Sequence, residues 1–141
     1  MTYLACDYYT PTLIDGPDAA TTYFDRRTAS LKPYGGCGTT LWFGLVAEVG
    51  QPDDSVDIDR MALRVDVDVE ADRAALRWLY DGTYAIELEP DVPLTVLESS
   101  DRGLVTIPAE LARVSVDTAR RAVTEYVRTG QRPTGVEWAA E

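Results

Sequence analysis

The stretch "MALRVDVDVE", Met61–Glu70, decides the fold class because its apolar and charged residues alternate from Leu63 onward. Successive side chains of a β-strand point to opposite faces of the sheet, so this alternation predicts a strand with one face in the core. The other face is predicted to form an acidic row in solvent. The apolar positions are Leu63, Val65, Val67 and Val69, and the charged positions are Arg64, Asp66, Asp68 and Glu70.

A β-hairpin is predicted next, because "AALRWLY" and "TYAIELEP" flank the turn-forming pair Asp81-Gly82. A two-residue turn would mix apolar and charged residues on each face. A three-residue loop with Gly82 in the left-handed conformation pairs Trp78 with Tyr84 and Leu76 with Ile86, which separates them. We therefore favour the second register, in which Arg77 lies diagonally opposite Glu87.

Four further segments, "TYLACDYY", "TLWFGLVAEV", "PLTVLES" and "GLVTIP", have the composition of strands. Residues 17–29 are predicted to form a helix that begins at a proline and ends near two arginines. A second helix is predicted from Val116 to Arg128, with Ser115 as N-cap and Gly130 after the C-cap. The closing "GVEW" is predicted to be a short tail strand.

These elements predict an α+β fold for a single domain that spans residues 1–141. It is a mostly antiparallel β-sheet with one or two helices packed on it, and the C-terminal helix is followed by the tail strand. Trp42 and Trp78 are expected in the core, and Trp138 is expected to hold the tail against it.

The composition excludes several classes of enzyme. The chain has no histidine and one lysine, Lys32, so it cannot build a Ser/His/Asp or Cys/His nucleophile pair or an imidazole zinc site. Apolar residues make up 45% and charged residues 26%, which is typical of a folded globular domain. Only carboxylate, lysine or tyrosine chemistry is left.

The charge is strongly negative and unevenly distributed. The net charge is −11, and residues 1–101 carry 19 acidic and 7 basic side chains, whereas residues 102–141 carry 5 and 6. A negative field of this kind repels nucleic acid and attracts a basic partner, and it also keeps a protein dispersed in water. Both interpretations are retained.

The two cysteines and the N-terminus predict a cytoplasmic protein. "MTYLACDYYT" lacks the basic and apolar regions of a signal peptide, and no apolar run is long enough to span a bilayer. Cys6 and Cys37 are therefore expected as reduced thiols. The "YGGCGTT" segment predicts a tight turn, because a phosphate-binding loop would need a helix after its glycines.

Clustered carboxylates are the candidate functional groups. Asp66, Asp68 and Glu70 could share a cation, form a solvated strand face, or imitate phosphates for a basic partner. The calcium-loop pattern fails, since it needs a glycine and a glutamate where this chain has Ala71 and Arg77. No metal and no cofactor is therefore expected.

The closing third of the chain, "LVTIPAELARVSVDTARRAVTEYVRTGQRPTGVEW", resembles the first-described immunity-protein family of bacterial polymorphic toxin systems. The shared pattern is a strand ending in a proline, a helix, a Thr-Gly and Arg-Pro turn, and a closing Glu-Trp. The resemblance implies a cytosolic, mainly β protein that binds and neutralises a cognate toxin domain, frequently a nucleic-acid deaminase. It implies no catalysis, and Gly130, Pro133 and Trp138 match the pattern as fold determinants.

The leading hypothesis is an immunity protein, a monomer or a 1:1 complex with its toxin, that covers a basic active site with an acidic surface and binds no nucleic acid itself. The alternatives are a small carboxylate- or metal-dependent hydrolase using Asp66, Asp68 and Glu70, and a general acidic adaptor. The predicted toxin-binding residues are Asp53, Asp54, Asp57, Asp59, Asp66, Asp68, Glu70, Tyr80 and Asp81.

Overall fold

The computed structural model describes residues 1–7, 10–29, 37–49, 57–99 and 101–141. Within these ranges the chain forms nine strands, three α-helices and a short 3₁₀ helix at Ile58–Arg60. The strands are β1 Tyr3–Cys6, β2 Pro11–Ile14, β3 Gly38–Leu45, β4 Leu63–Asp68, β5 Arg73–Trp78, β6 Thr83–Ile86, β7 Leu94–Ser99, β8 Gly103–Ile107 and β9 Glu137–Ala140. The helices are α1 Pro17–Ala29, α2 Val46–Val49 and α3 Val116–Thr129.

All nine strands belong to one sheet, in the order β2-β1-β3-β4-β5-β6-β9, with the β7–β8 hairpin branching from β3. The neighbours on this path are antiparallel, and β3 pairs with β7 in parallel. The α+β prediction is therefore confirmed, including the C-terminal helix and the tail strand.

Helices α1 and α3 cover one face of the sheet and enclose the larger core with it. Both helices have the predicted bounds to within a residue, Ser115 caps α3 by accepting from the Thr118 N–H, and Gly130 follows in the left-handed conformation. The Tyr126 ring meets Tyr3 and Trp78 edge-on, with centroids 5.3 and 5.5 Å apart. The apolar stripe of α3 thus packs on the sheet as its spacing predicts.

The opposite face of the sheet is also covered. Helix α2 and the 3₁₀ helix enclose a small core around Leu4, Trp42 and Met61. The β7–β8 hairpin and the segment after it enclose another around Ala75, Leu94 and Val96. Charged side chains of β4 and β5 lie on this face too, so they are enclosed between elements instead of facing water.

Gly38 allows the β7–β8 hairpin to branch from β3. A Cβ at this position would lie 2.1 Å from the carbonyl oxygen of Val67 on β4 and 3.1 Å from a side-chain methyl group of Val96 on β7. Three strands therefore meet at Gly38 too closely for any side chain. The glycine-rich segment that sequence analysis interpreted as a turn, residues 34–40, contains this junction, and its residues 34–36 lie outside the described residues.

The predicted register of the β5–β6 hairpin is wrong. Trp78 pairs with Thr83 and Arg77 with Tyr84, so a four-residue loop joins the strands, although Gly82 does adopt the left-handed conformation. Ala85, and not Tyr84, faces the helix-side core, where it pairs with Trp138 of β9. A small residue suffices at this point because the tail strand supplies the missing apolar volume.

Other boundaries also differ from the predictions. Pro11 begins a strand that sequence analysis did not identify, and the last four residues of "TLWFGLVAEV" form α2. Trp42 and Trp78 are buried as predicted. Trp138 is partly buried, and its indole N–H donates to the Pro133 carbonyl at 2.8 Å, which fixes the tail to the turn before it.

Candidate interface

Asp66 is the most enclosed carboxylate of the predicted site, with no exposed surface. It accepts hydrogen bonds from the Thr40 hydroxyl at 2.7 Å, from Arg64 at 3.1 and 3.2 Å, and from Arg77 at 2.9 Å. The strand register places these groups side by side, because Thr40, Asp66 and Ala75 are cross-strand neighbours on the same face of the sheet. Buried charges persist in proteins only when they are paired in this way.

Glu98 of β7 extends the cluster from the covering hairpin. It accepts from Arg64 at 2.9 Å and from Arg102 at 2.9 Å, and only 3% of its surface is exposed. The Arg64 guanidinium also lies over the Trp42 ring, 5.4 Å from its centroid. Although burial opposes the charged form of Arg64, the carboxylates of Asp66 and Glu98 raise its pKa above the usual arginine value.

The predicted acidic outer face of β4 is therefore wrong for Arg64 and Asp66. Both are buried because the β7–β8 hairpin covers this face and because guanidinium groups neutralise Asp66. Arg77 donates a hydrogen bond to Asp66 and forms an ion pair with Glu141 at 3.6 Å, instead of pairing with Glu87. Asp66 cannot reach a partner's surface, and its oxygen atoms are already occupied by three donors, so the proposed cation site at 66, 68 and 70 loses its central ligand.

The remaining predicted residues that the structure describes lie at opposite ends of strands β4 and β5. The antiparallel register pairs Leu63 with Trp78 and Asp68 with Arg73. Asp68 and Glu70 therefore lie at the turn between β4 and β5, whereas Tyr80 and Asp81 lie at the other ends of those strands. At about 3.3 Å per residue the two groups are roughly 20 Å apart. The sequence predicted one acidic surface, and the structure divides it into two.

We name one of these the hairpin-end surface, consisting of Glu48, Asp57, Asp59, Tyr80 and Asp81. All five are exposed. The Tyr80 ring is 51% exposed and contacts Trp78 edge-on at 5.4 Å, while its hydroxyl donates to Glu48. Burial and the Glu48 carboxylate raise the pKa of Tyr80 to about 12. Asp81 accepts from Arg132 at 2.9 Å. Residues 53 and 54 lie outside the described residues.

The other is the turn-end surface, consisting of Asp68, Glu70 and Asp72. Asp68 is partly buried and accepts from the backbone amides of Glu70 and Ala71, at 3.1 and 3.3 Å. Asp72 has a positive φ of 50° and accepts from the Val116 amide at the start of α3. Two of these three carboxylates therefore hold the turn and the helix in place.

Sequence reasoning did not identify Glu48, Arg64, Arg77 or Glu98 as parts of a shared arrangement. An arginine and an aspartate at alternate positions in an otherwise apolar strand could have indicated Arg64 with Asp66. No local pattern indicates Glu98, since it lies 34 residues from Arg64 along the chain and meets it through the branch at β3.

In the ranges that the structure covers, no group of three or more cysteine, aspartate or glutamate side chains is arranged to hold a metal ion. No helix among those residues has the length and apolarity needed to cross a membrane. Cys6 is a free thiol, and burial together with Asp7 raises its pKa to about 11.

Comparison with known protein families gives a match that covers most of the chain. The model of the family described as immunity protein Imm1 matches residues 30–140 of the 141. This chain belongs to the Imm1 family. Membership confirms the resemblance noted in the closing third and gives the protein an immunity function, which requires a cognate toxin as partner. No curated protein sequence matches the chain.

The Imm1 match bears on the two surfaces and the buried cluster alike. Residues 30–140 contain the hairpin-end surface, the turn-end surface and the cluster around Asp66. Strands β1 and β2 and helix α1 lie before residue 30. The Imm1 part of the chain thus supplies most of the sheet, while the N-terminal residues supply one edge of the sheet and a helix packed against α3.

Proposed function

We propose that this Imm1 protein binds the catalytic domain of its cognate toxin and blocks its active site, and that the toxin is a nucleic-acid deaminase. The family match carries this proposal, because an immunity function requires a toxin target. A deaminase must hold the phosphate backbone of its substrate and therefore presents a cationic groove. A partner with a net charge of −11 is suited to such a groove and associates rapidly with it.

The hairpin-end surface is our proposed docking surface. It combines four exposed carboxylates with a half-exposed tyrosine, and tyrosine is among the residues that contribute most to binding energy at interfaces. Tyr80 is held in place by the Trp78 ring and by Glu48, so little side-chain freedom would be lost on binding. The turn-end surface has a weaker claim, since its three carboxylates are not accompanied by an aromatic side chain that could act as an anchor.

We further propose that inhibition is non-enzymatic. The chain has no histidine, and Asp66 is neutralised by two arginines. The family is one of immunity proteins, which supports inhibition by contact. An acidic surface can block the groove of a toxin through complementary shape and charge alone, so inhibition of this kind requires no chemical step by the protein itself.

The test is co-expression with the toxin domain encoded by the adjacent gene. We expect growth to be restored and the two proteins to co-purify, with an association rate that falls as salt rises. A catalytically inactive toxin variant should bind equally well, because contact and not turnover is proposed. Continued killing together with no complex at low salt would contradict the proposed function. Binding to a toxin that is not a deaminase would contradict only the assignment of the toxin class.

A further inference from the structure

Strand β2 lies at one edge of the sheet, and some of its backbone groups have no partner among the described residues. Among the described residues it pairs only with β1. The Asp7 amide donates to the Thr10 carbonyl at 3.4 Å, so the antiparallel alternation turns the N–H and C=O of Leu13 away from β1. The Leu13 side chain is 49% exposed. An edge of this kind is a template for another strand.

A groove of about 680 Å³ runs beside this edge, between β2 and α1. Three of its lining residues, Asp18, Thr22 and Arg26, are four residues apart and therefore form one stripe along α1. All three are exposed, and neither Asp18 nor Arg26 forms a salt bridge within the described part of the chain. The stripe is acidic at the start of the helix, neutral in its middle and basic at its end.

We propose that two copies of this chain associate through β2, which pairs antiparallel with β2 of the second copy about a two-fold axis at Leu13. The N–H and C=O of each Leu13 then bond to those of the other, and the exposed leucine side chains meet. Pro11 lacks an N–H, but its carbonyl can still accept from the Asp15 amide of the second copy. The two sheets become one continuous sheet.

The charge pattern favours this occupant over an unrelated strand. A two-fold axis that reverses β2 also reverses α1, because the short Asp15–Gly16 link joins them. The acidic end of one stripe then faces the basic end of the other, with Asp18 opposite Arg26 twice and Thr22 opposite Thr22 at the centre. An interface between two identical surfaces requires a surface that is complementary to itself. The stripe on α1 meets this requirement, because its acidic end faces the basic end of the second copy.

The inferred interface leaves the proposed toxin-binding surface accessible. Tyr80 lies at the β5–β6 hairpin, and three strands, β1, β3 and β4, separate β5 from β2 in the sheet. The inference does not rest on the proposed function, since it uses only residues that precede the segment matched by the family model. Each copy could bind one toxin.

The experiment is sedimentation equilibrium of the full chain and three charge variants over a concentration series into the millimolar range. We expect a reversible dimer, weakened about tenfold or more by Asp18→Arg alone and by Arg26→Asp alone. The double variant Asp18→Arg, Arg26→Asp exchanges the two charges and should restore dimerisation. A monomer at every concentration, or a dimer that the single charge variants do not weaken, would overturn the inference.

A matched pair of leucine variants tests the strand contact. Leu13→Lys should dissociate the dimer, whereas Leu104→Lys should not, because Leu104 is an exposed leucine of the same sheet, on β8. Circular dichroism of every variant establishes that it is folded. If Leu104→Lys dissociates the dimer and Leu13→Lys does not, copies associate through β8 and the inference is wrong.

Discussion

The Asp66 carboxylate lies between the guanidinium groups of Arg64 and Arg77 and accepts hydrogen bonds from both. The arrangement is enclosed by the sheet below and by Glu98 of β7 above. These buried charges are stable only when they are paired with one another, because an unpaired charge in the protein interior carries a large desolvation free energy. The acidic residue that seemed the centre of a binding surface is instead a part of the fold.

Asp66→Asn should therefore destabilise the protein by about 3–5 kcal/mol, since it removes the charge that pairs two buried arginines while preserving shape. The measurement is the free energy of unfolding in urea. Asp68→Asn is the matched control on the same strand, and a change within about 1 kcal/mol is expected there because Asp68 is only partly buried. Equal losses of unfolding free energy for the two substitutions would contradict the conclusion that Asp66 belongs to a buried charged cluster.

Gly130→Ala should cost more stability than Gly82→Ala. Both glycines have positive φ, 73° and 68°, so alanine is strained by about 1 kcal/mol at either position. A Cβ at Gly130 would also lie 3.3 Å from the Tyr3 hydroxyl, whereas nothing lies within 4 Å at Gly82. Thermal unfolding midpoints give the comparison. A larger loss for Gly82→Ala would show that contact with Tyr3 is unimportant.

Glu87 should make the native state sensitive to acid. Although its partial burial acts in the other direction, hydrogen bonds from Thr118 and from the Ser115 amide lower the pKa of Glu87. A carboxyl group with a lowered folded pKa stabilises the protein above its unfolded pKa of about 4.3, and this stability is lost as pH falls toward the folded value. Glu87→Gln should reduce the dependence of unfolding free energy on pH in this range and leave the slope near neutrality unchanged. If the unfolding free energy of Glu87→Gln fell with acidification as steeply as that of the unsubstituted protein, this role of Glu87 would be contradicted.

Asp59→Lys should weaken toxin binding more than Glu70→Lys. Both substitutions reverse one exposed charge, the first on the hairpin-end surface and the second on the turn-end surface. Long-range attraction to a basic toxin is reduced by both, so the difference in dissociation rate measures local contact. Surface plasmon resonance with the cognate toxin domain provides both rates. A larger effect of Glu70→Lys would place the interface at the turn end.

Tyr80→Ala should increase the dissociation rate of the toxin complex and have little effect on the association rate. Truncation removes an anchored aromatic side chain, which affects the lifetime of contacts more than electrostatic attraction. Tyr84→Ala is a suitable comparison, since Tyr84 lies within β6, where it pairs with Arg77, and is less exposed than Tyr80. Equal dissociation rates for the two variants would exclude Tyr80 as an anchor.

The elements with strong local signals were predictable from sequence. Helix α1 begins at Pro17, and α3 lies between Ser115 and Gly130, because capping and charge preferences act over one turn of helix. The alternation from Leu63 likewise identified β4. In each case the determining interactions lie within a few residues, so a linear pattern contains them.

The predictions that proved wrong concern features that depend on contacts between distant segments of the chain. The register of β5 and β6 is decided by β9, which fills the space beside Ala85 from more than 50 residues away. The second face of the sheet is buried because Gly38 admits β7 next to β3, and this changes Arg64 and Asp66 from surface residues to core residues. Alternation identifies two faces of a strand, but it does not say whether the polar face is covered.

The parallel contact between β3 and β7 consists of only two residue pairs, Gly38 with Val96 and Thr39 with Leu97. Two backbone residue pairs are too few to discriminate well among alternative alignments of the hairpin. A slip of one residue would turn Glu98 to the opposite face and leave Arg64 without its second carboxylate. The charged cluster therefore selects the alignment of the hairpin, so that misaligned forms are rejected while the chain folds.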